Sequence, residues 1–339
     1  MSSALYTPGA AVEQAHDDDI WHCSWIPGKH HLVTAGSDEV VRIWDAQTGD
    51  CIGTLKDNDY AITSLDINAQ GTRILTSSMD NKMRIWNIDD ALSRPGGDGG
   101  AKKCKPALVI DSGPINAWKS RFVHQAGGGE ARGSSNNSSA GLKEILASST
   151  DSGTIKLWSV SDGREIRELN TSRRSFMYAL AVSPDGTKAA CAGVGSHIYV
   201  FDIESGALSC TFSGHSDNVR SVSFSADSTL LVTASDDKQV QLYDVRHGVA
   251  VTAFSGHHGW VLDAEIHPGG MYIASASLDT KVKIWDVGQR KCMETHGQHS
   301  SAAWSVAWQR SSDDVVTMKP MLASVGEDRS IHFYDPLLA

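Results

Sequence analysis

The sequence predicts an all-β fold: a seven-bladed β-propeller closed by pairing an N-terminal strand with the last blade. Three observations predict it. An aromatic residue returns about every 42 residues, at Trp44, Trp86, Trp158, Phe201, Tyr243, Trp285 and Tyr334, with gaps of 42, 72, 43, 42, 42 and 49. Polar residues keep fixed offsets from that aromatic. An acid lies six before it (Asp38, Asp80, Asp237, Asp279, Asp328) and a hydroxyl ten before it (Thr34, Thr76, Ser148, Thr233, Ser275, Ser324). A histidine lies 28 before it at His16, His215 and His257, and His299 takes that place across an insertion. Finally, the last unit ends at Asp335 with no outer strand, whereas residues 10–14 precede the first unit with no sheet of their own. A period of roughly 40–45 residues marks propeller blades, each a four-stranded sheet. Joining the two loose ends hides an open sheet edge.

The elements follow unit by unit. In the fifth, VRSVSFS alternates, LLVTAS is continuously apolar and QVQLYDV alternates again, giving three strands; AVTAF supplies a fourth, outer strand. Polar turns such as SADST and SDDKQ separate them. The seven triplets fall near 20–45, 62–87, 115–159, 177–202, 219–244, 261–286 and 303–335. Residues 1–339 therefore read as a single propeller domain with three insertions. Those near 91–105 and 125–141 are Gly/Ser/Asn-rich and read as flexible loops. The third, near 309–320, extends a hairpin of the last unit.

Bulk properties narrow the function class. No run approaches 18 apolar residues, which excludes a membrane-spanning helix, and the N-terminal stretch lacks the basic start and apolar core of a signal peptide. Six cysteines are scattered with no CxxC pair, the pattern of reduced thiols in an intracellular protein. A net charge of −10 opposes binding to a phosphate backbone and predicts no direct nucleic-acid contact. A monomer is expected for the isolated chain.

Two constellations carry chemistry. The first is the repeated quartet: His16, Thr34, Asp38 and Trp44; His215, Thr233 and Asp237; His257, Ser275, Asp279 and Trp285; His299, Ser324 and Asp328. A hydrolase needs its triad once, whereas this set recurs in four units, so it reads as a buried network bracing strands. Units two to four are degenerate: Asn58 stands in the His slot, Ser152 in the acid slot, and Cys191 and Gly195 replace hydroxyl and acid in the fourth. Neighbouring histidines such as His30–His31 bring no carboxylate or thiol at zinc spacing, so no metal is expected. Gly-rich stretches lack a strand–loop–helix context with Lys-Ser/Thr, so no nucleotide cofactor is expected either. No enzyme is predicted.

The second constellation opens each inner strand, five residues after the His slot. That position holds Trp21, Thr63, Trp118, Tyr178, Arg220, Leu262 and Trp304, with Phe176 and Trp260 two residues away. Inner strands line a propeller's channel and all start on one face. These aromatics should therefore crowd one rim, beside Asp236 and Glu327 from the turns. A Trp-rich centre flanked by acids fits an apolar anchor and an Arg of a partner protein.

The units resemble WD40 repeats over nearly the whole chain. Within that family, QAHDDDIWHCSW, DSGPINAW, SGHSDNVRSVSFSADSTLLVTASDD, SGHHGWVL, KVKIWDVGQRKC and SVGEDRSIHFYD look like the WD-repeat subunits of the superkiller (Ski) complex. That resemblance implies a scaffold without enzymatic activity. Its partners would be the tetratricopeptide-repeat scaffold and RNA helicase of a Ski-like complex, in cytoplasmic RNA decay, and Paf complex subunits, in nuclear transcription elongation. It also implies a top-face groove for short peptides carrying an Arg and a hydrophobic anchor, with Trp21, Trp118, Trp260 and Trp304 as its floor and Asp236 and Glu327 receiving the Arg. Tyr243-Asp244-Val245-Arg246 resembles the WDxR ending of substrate receptors of cullin-type ubiquitin ligases, which is the alternative reading.

Overall fold

The computed structural model describes residues 5–93, 104–114, 116–123, 144–310 and 320–337. Its strands form seven four-stranded antiparallel sheets, the blades of a propeller. Blade 5 shows the pattern: inner strand Val219–Phe224, then Leu230–Ser235, Gln239–Asp244 and outer strand Val249–Ser255, hydrogen-bonded in that order. Six blades are built from consecutive strands. Blade 7 is not: Ala303–Trp308, Leu322–Gly326 and Ile331–Pro336 take Tyr6–Val12 as their outer strand, so the ring closes as expected.

Sequence pattern explains the layering. The second strand of each blade is buried on both faces, as continuous apolar runs such as LLVTAS require. The outer strand Val249–Ser255 is mostly exposed, with Phe254 its one buried residue. Apolar side chains of one blade pack on the next, so the core is a ring of inter-blade clusters; Phe212 and Tyr243, for example, join blades 4 and 5. At the closure, Tyr6 packs its ring 5.3 Å from that of Trp308, and its hydroxyl donates to Pro320 O at 3.1 Å.

Of the insertions, only the flanks are described. The stretch near 91–105 begins in a short helix, Ile88–Leu92, that buries Ala91, a departure from the expected loop. Gln309 is anchored to Met321 O and Lys29 O. Residues 94–103, 125–141 and 311–319 lie outside the described residues.

Five inner strands carry a β-bulge in their first turn of ladder, between Ile20 and His22, Ile62 and Ser64, Val219 and Ser221, Val261 and Asp263, and Ala303 and Ser305. A bulge inserts one unpaired residue and re-aims its side chain. The inserted residues are Trp21, Thr63, Arg220, Leu262 and Trp304. In these five blades the bulge frees the slot residue from the ladder, whereas Trp118 and Tyr178 precede their inner strands, Ser120–Val123 and Ala179–Val182.

Candidate protein-interaction surface

The recurrent quartets form as buried relays. In blade 1, Trp44 Nε1 donates to Thr34 Oγ1 at 2.8 Å, Thr34 Oγ1 lies 2.7 Å from His16 Nε2, and His16 Nδ1 lies 2.9 Å from Asp38. Blade 6 repeats it: Trp285 to Ser275 at 2.8 Å, Ser275 to His257 at 2.8 Å and His257 to Asp279 at 2.9 Å. Every group is satisfied when the imidazole is neutral, with its proton on Nδ1. Burial favours that state and holds His16 and His257 below the ordinary imidazole pKa. Burial alone would raise the acids, but the histidine hydrogen bonds outweigh it, aided at Asp38 by Arg42, so Asp38, Asp279 and Asp328 ionise well below the usual range.

Tyrosine closes the relay differently. Tyr334 OH donates to Ser324, which bonds His299 Nε2 at 2.7 Å, with Asp328 2.9 Å from Nδ1. In blade 5, His215 binds Thr233 and Asp237 at 2.7 and 2.8 Å, but Tyr243 OH donates to Gln241 Oε1 at 2.6 Å. Blade 2, lacking the histidine, uses a residue not anticipated: buried Arg84 reaches Asp80 at 2.6 Å while Trp86 donates to Thr76. The signal was available, because Arg42 and Arg84 occupy the same offset, two before the Trp. Blade 3 keeps the Trp158–Ser148 bond and replaces the acid turn by the hydroxyls of Thr150, Ser152 and Thr154. Blade 4 packs Cys191 in an apolar cluster instead. His299, Asp328 and His332 do bring ligand-type atoms within 4.8 Å of one another. Hydrogen bonds already use them, however: both nitrogens of His299 serve the relay, and His332 Nε2 lies 3.0 Å from Ser330 Oγ.

The rim aromatics gather into two groups. Trp21 and Trp304, on neighbouring blades 1 and 7, lie with ring centroids 6.3 Å apart. Trp118, Phe176 and Tyr178 follow one another at 5.1 Å, the first contact edge-on. Arg220 extends this second group, its guanidinium 4.9 Å from the ring of Tyr178 and 5.1 Å from that of Trp260, the most exposed tryptophan of the rim at 44%. Blade 2 interrupts the ring with buried Thr63. The indole nitrogen of Trp304 is buried and makes no hydrogen bond among the described residues.

The acids differ from expectation. Asp236 is buried and held by Arg220 at 2.7 and 2.8 Å and by Asn218 at 3.1 Å, so it cannot serve a partner's arginine. Its link to Arg220 depends on the bulge, which the sequence did not reveal. Glu327 is exposed and accepts from the Ser301 hydroxyl. Two neighbours were missed: burial, together with the charges of Asp18 and Glu327, raises the pKa of Asp19. The negative pole of the rim thus sits beside Trp21.

Four stretches, residues 10–45, 49–87, 206–244 and 248–286, match the family model for the WD domain, G-beta repeat. The chain belongs to the WD40-repeat family. Among WD40 relatives, WD repeat-containing protein VIP3 of Arabidopsis thaliana is 28% identical over 232 residues, covering 63% of each chain. WD repeat-containing protein SL1-17 of Schistosoma mansoni is 26% identical, covering 65% of each. The match thus spans slightly under two thirds of the length of both relatives. The Denticleless protein homolog of Danio rerio is 36% identical over 75 residues, which are 22% of this chain and 12% of that protein. Among the described residues no helix is long and apolar enough to cross a membrane.

Proposed function

We propose that this WD40 propeller is an adaptor without enzymatic activity that docks partner proteins on the face where its inner strands begin. The observation that carries this reading is the rim itself: two aromatic groups, one carrying an unfilled buried indole N–H, beside the acids Asp18, Asp19 and Glu327. Such a surface suits a peptide with an apolar anchor and a basic side chain, the anchor seated on Trp21 and Trp304. The repeated polar groups, by contrast, are consumed in bracing the blades.

The sequence resemblance supports a narrower reading, a Ski-like subunit in cytoplasmic RNA decay and a Paf-like subunit in nuclear transcription elongation. Its partners are then a tetratricopeptide-repeat scaffold, an RNA helicase and Paf complex subunits. Purification of the tagged protein from its own cells tests this directly. Recovery of the scaffold and helicase supports it, and recovery of neither overturns it. Recovery of a cullin-type ligase, lost on Arg246→Ala, would favour the substrate-receptor alternative. Within the adaptor reading, Trp304→Ala and Trp118→Ala should each weaken partner binding by about 2 kcal/mol or more. Normal binding by both folded variants would show that the rim aromatics serve packing alone.

A further inference from the structure

Two cations of blade 3, Lys119 and Arg121, line the channel with no salt bridge among the described residues. Lys119 immediately precedes the inner strand Ser120–Val123, and Arg121 is the second residue of that strand. Both line a central cavity of about 340 Å³. Lys119 Nζ lies 3.1–3.2 Å from the two ring nitrogens of His22, whose Nε2 donates to Thr63 O at 2.8 Å. Among the described residues Arg121 bonds only to uncharged acceptors: Ser64 Oγ at 3.2 Å, Leu65 O at 3.1 Å and Ser120 O at 3.0 Å. The channel's acids are engaged elsewhere. Asp263 accepts from Ser221 and Ser305 at 2.6 and 2.7 Å, and Glu265 from Trp308 N and Arg310 at 2.8 and 3.1 Å. Asp66 accepts from Phe122 N at 2.8 Å.

Two adjacent, half-buried positive charges are costly unless a negative group joins them. Their presence is more telling in a chain whose net charge is −10. We propose that the channel wall of blade 3 is a binding site for a small oxyanion of the phosphate or carboxylate type, held between Lys119 and Arg121. The state of the lysine agrees: burial and the Arg121 charge, against the pull of Asp263, push its pKa down to about 7. A bound anion would restore full protonation and supply the charge-assisted partners that both side chains lack. This cavity shares Arg220 and Trp304 with the rim, but the two cations proposed to hold the anion are not among the rim aromatics.

Titration calorimetry of the full chain with inorganic phosphate, acetate and chloride, at constant ionic strength, tests it. Saturable binding of phosphate or acetate but not chloride is expected, weakened about tenfold or more by Lys119→Met and by Arg121→Gln. Lys119→Met removes an unpaired cation and should stay folded; circular dichroism checks both variants. The Lys119 side-chain carbon resonance gives a second readout, its titration midpoint rising when the anion binds. No saturable binding of phosphate or acetate, equal response to chloride, or unchanged affinity in both folded variants would overturn the proposal.

Discussion

Arg220 grips Asp236 with two parallel hydrogen bonds of 2.7 and 2.8 Å while its guanidinium lies against Tyr178 and Trp260. One side chain thereby neutralises a buried acid and ties blades 4, 5 and 6 together at the rim. Arg220→Met should leave Asp236 unpaired and cost about 3 kcal/mol in urea unfolding, and Asp236→Asn added to it should recover much of the loss. Additive losses would show that the two residues act separately.

Ser275 accepts from Trp285 and bonds His257, so Ser275→Ala strands two buried groups. The expected cost is about 3 kcal/mol, against about 1 kcal/mol for the hydrogen bond lost in Trp285→Phe, which leaves Ser275 its histidine. Thermal or chemical denaturation ranks the two; equal losses would mean that the relay contributes no more than packing.

Acid should weaken the fold in two stages. Burial lowers His267 and His332 to a pKa of about 4, and it also lowers His16 and His257. The unfolded chain then binds more protons below pH 6.5, so stability is complete above that pH and declines toward pH 4. Asp38, Asp279 and Asp328 have depressed values, so their contribution is lost only below the unfolded carboxylate pKa near 3.8. His267 meets Trp308 edge-on and accepts from Gly269 N, and His267→Gln should flatten the upper stage. Urea midpoints between pH 4 and 8 measure it; an unchanged slope in the variant would refute the assignment.

Removing residues 1–12 strips the outer strand from blade 7 and bares the edge of Ile331–Pro336. A lower melting temperature and concentration-dependent association are expected, because an exposed edge pairs with other chains. Unchanged melting and a monomeric profile in gel filtration would count against the closure's role.

The ring, its seven blades and the quartets were legible because a fixed period turns each repeated offset into a statement about register. The rim slot was legible for the same reason. Pairings that depend on one blade's local geometry were not. Asp236 is sixteen residues from Arg220, and nothing in either stretch announces that a bulge turns the arginine back onto it. Tyr243 and Tyr334 fill equivalent positions, yet Tyr243 also donates to Gln241, a partner that blade 7 does not offer Tyr334 because His332 stands at that offset. The role of Arg84 was not legible because an arginine two before the aromatic also occurs as Arg42 in blade 1, beside an intact histidine, so its replacing role appears only once it reaches Asp80. The channel cations were overlooked because they become neighbours of His22 only when blades 1 and 3 share a common axis.

The seam that joins Tyr6 to Pro336 has a cost in time. During synthesis the opening residues leave the ribosome hundreds of codons before their hydrogen-bonding partner exists. Until then an apolar flank and a naked ladder remain open to passing chains. Contacts of such wide separation form slowly. An open crescent of blades, its edge unpaired, is therefore the species most exposed to misassembly before the ring closes.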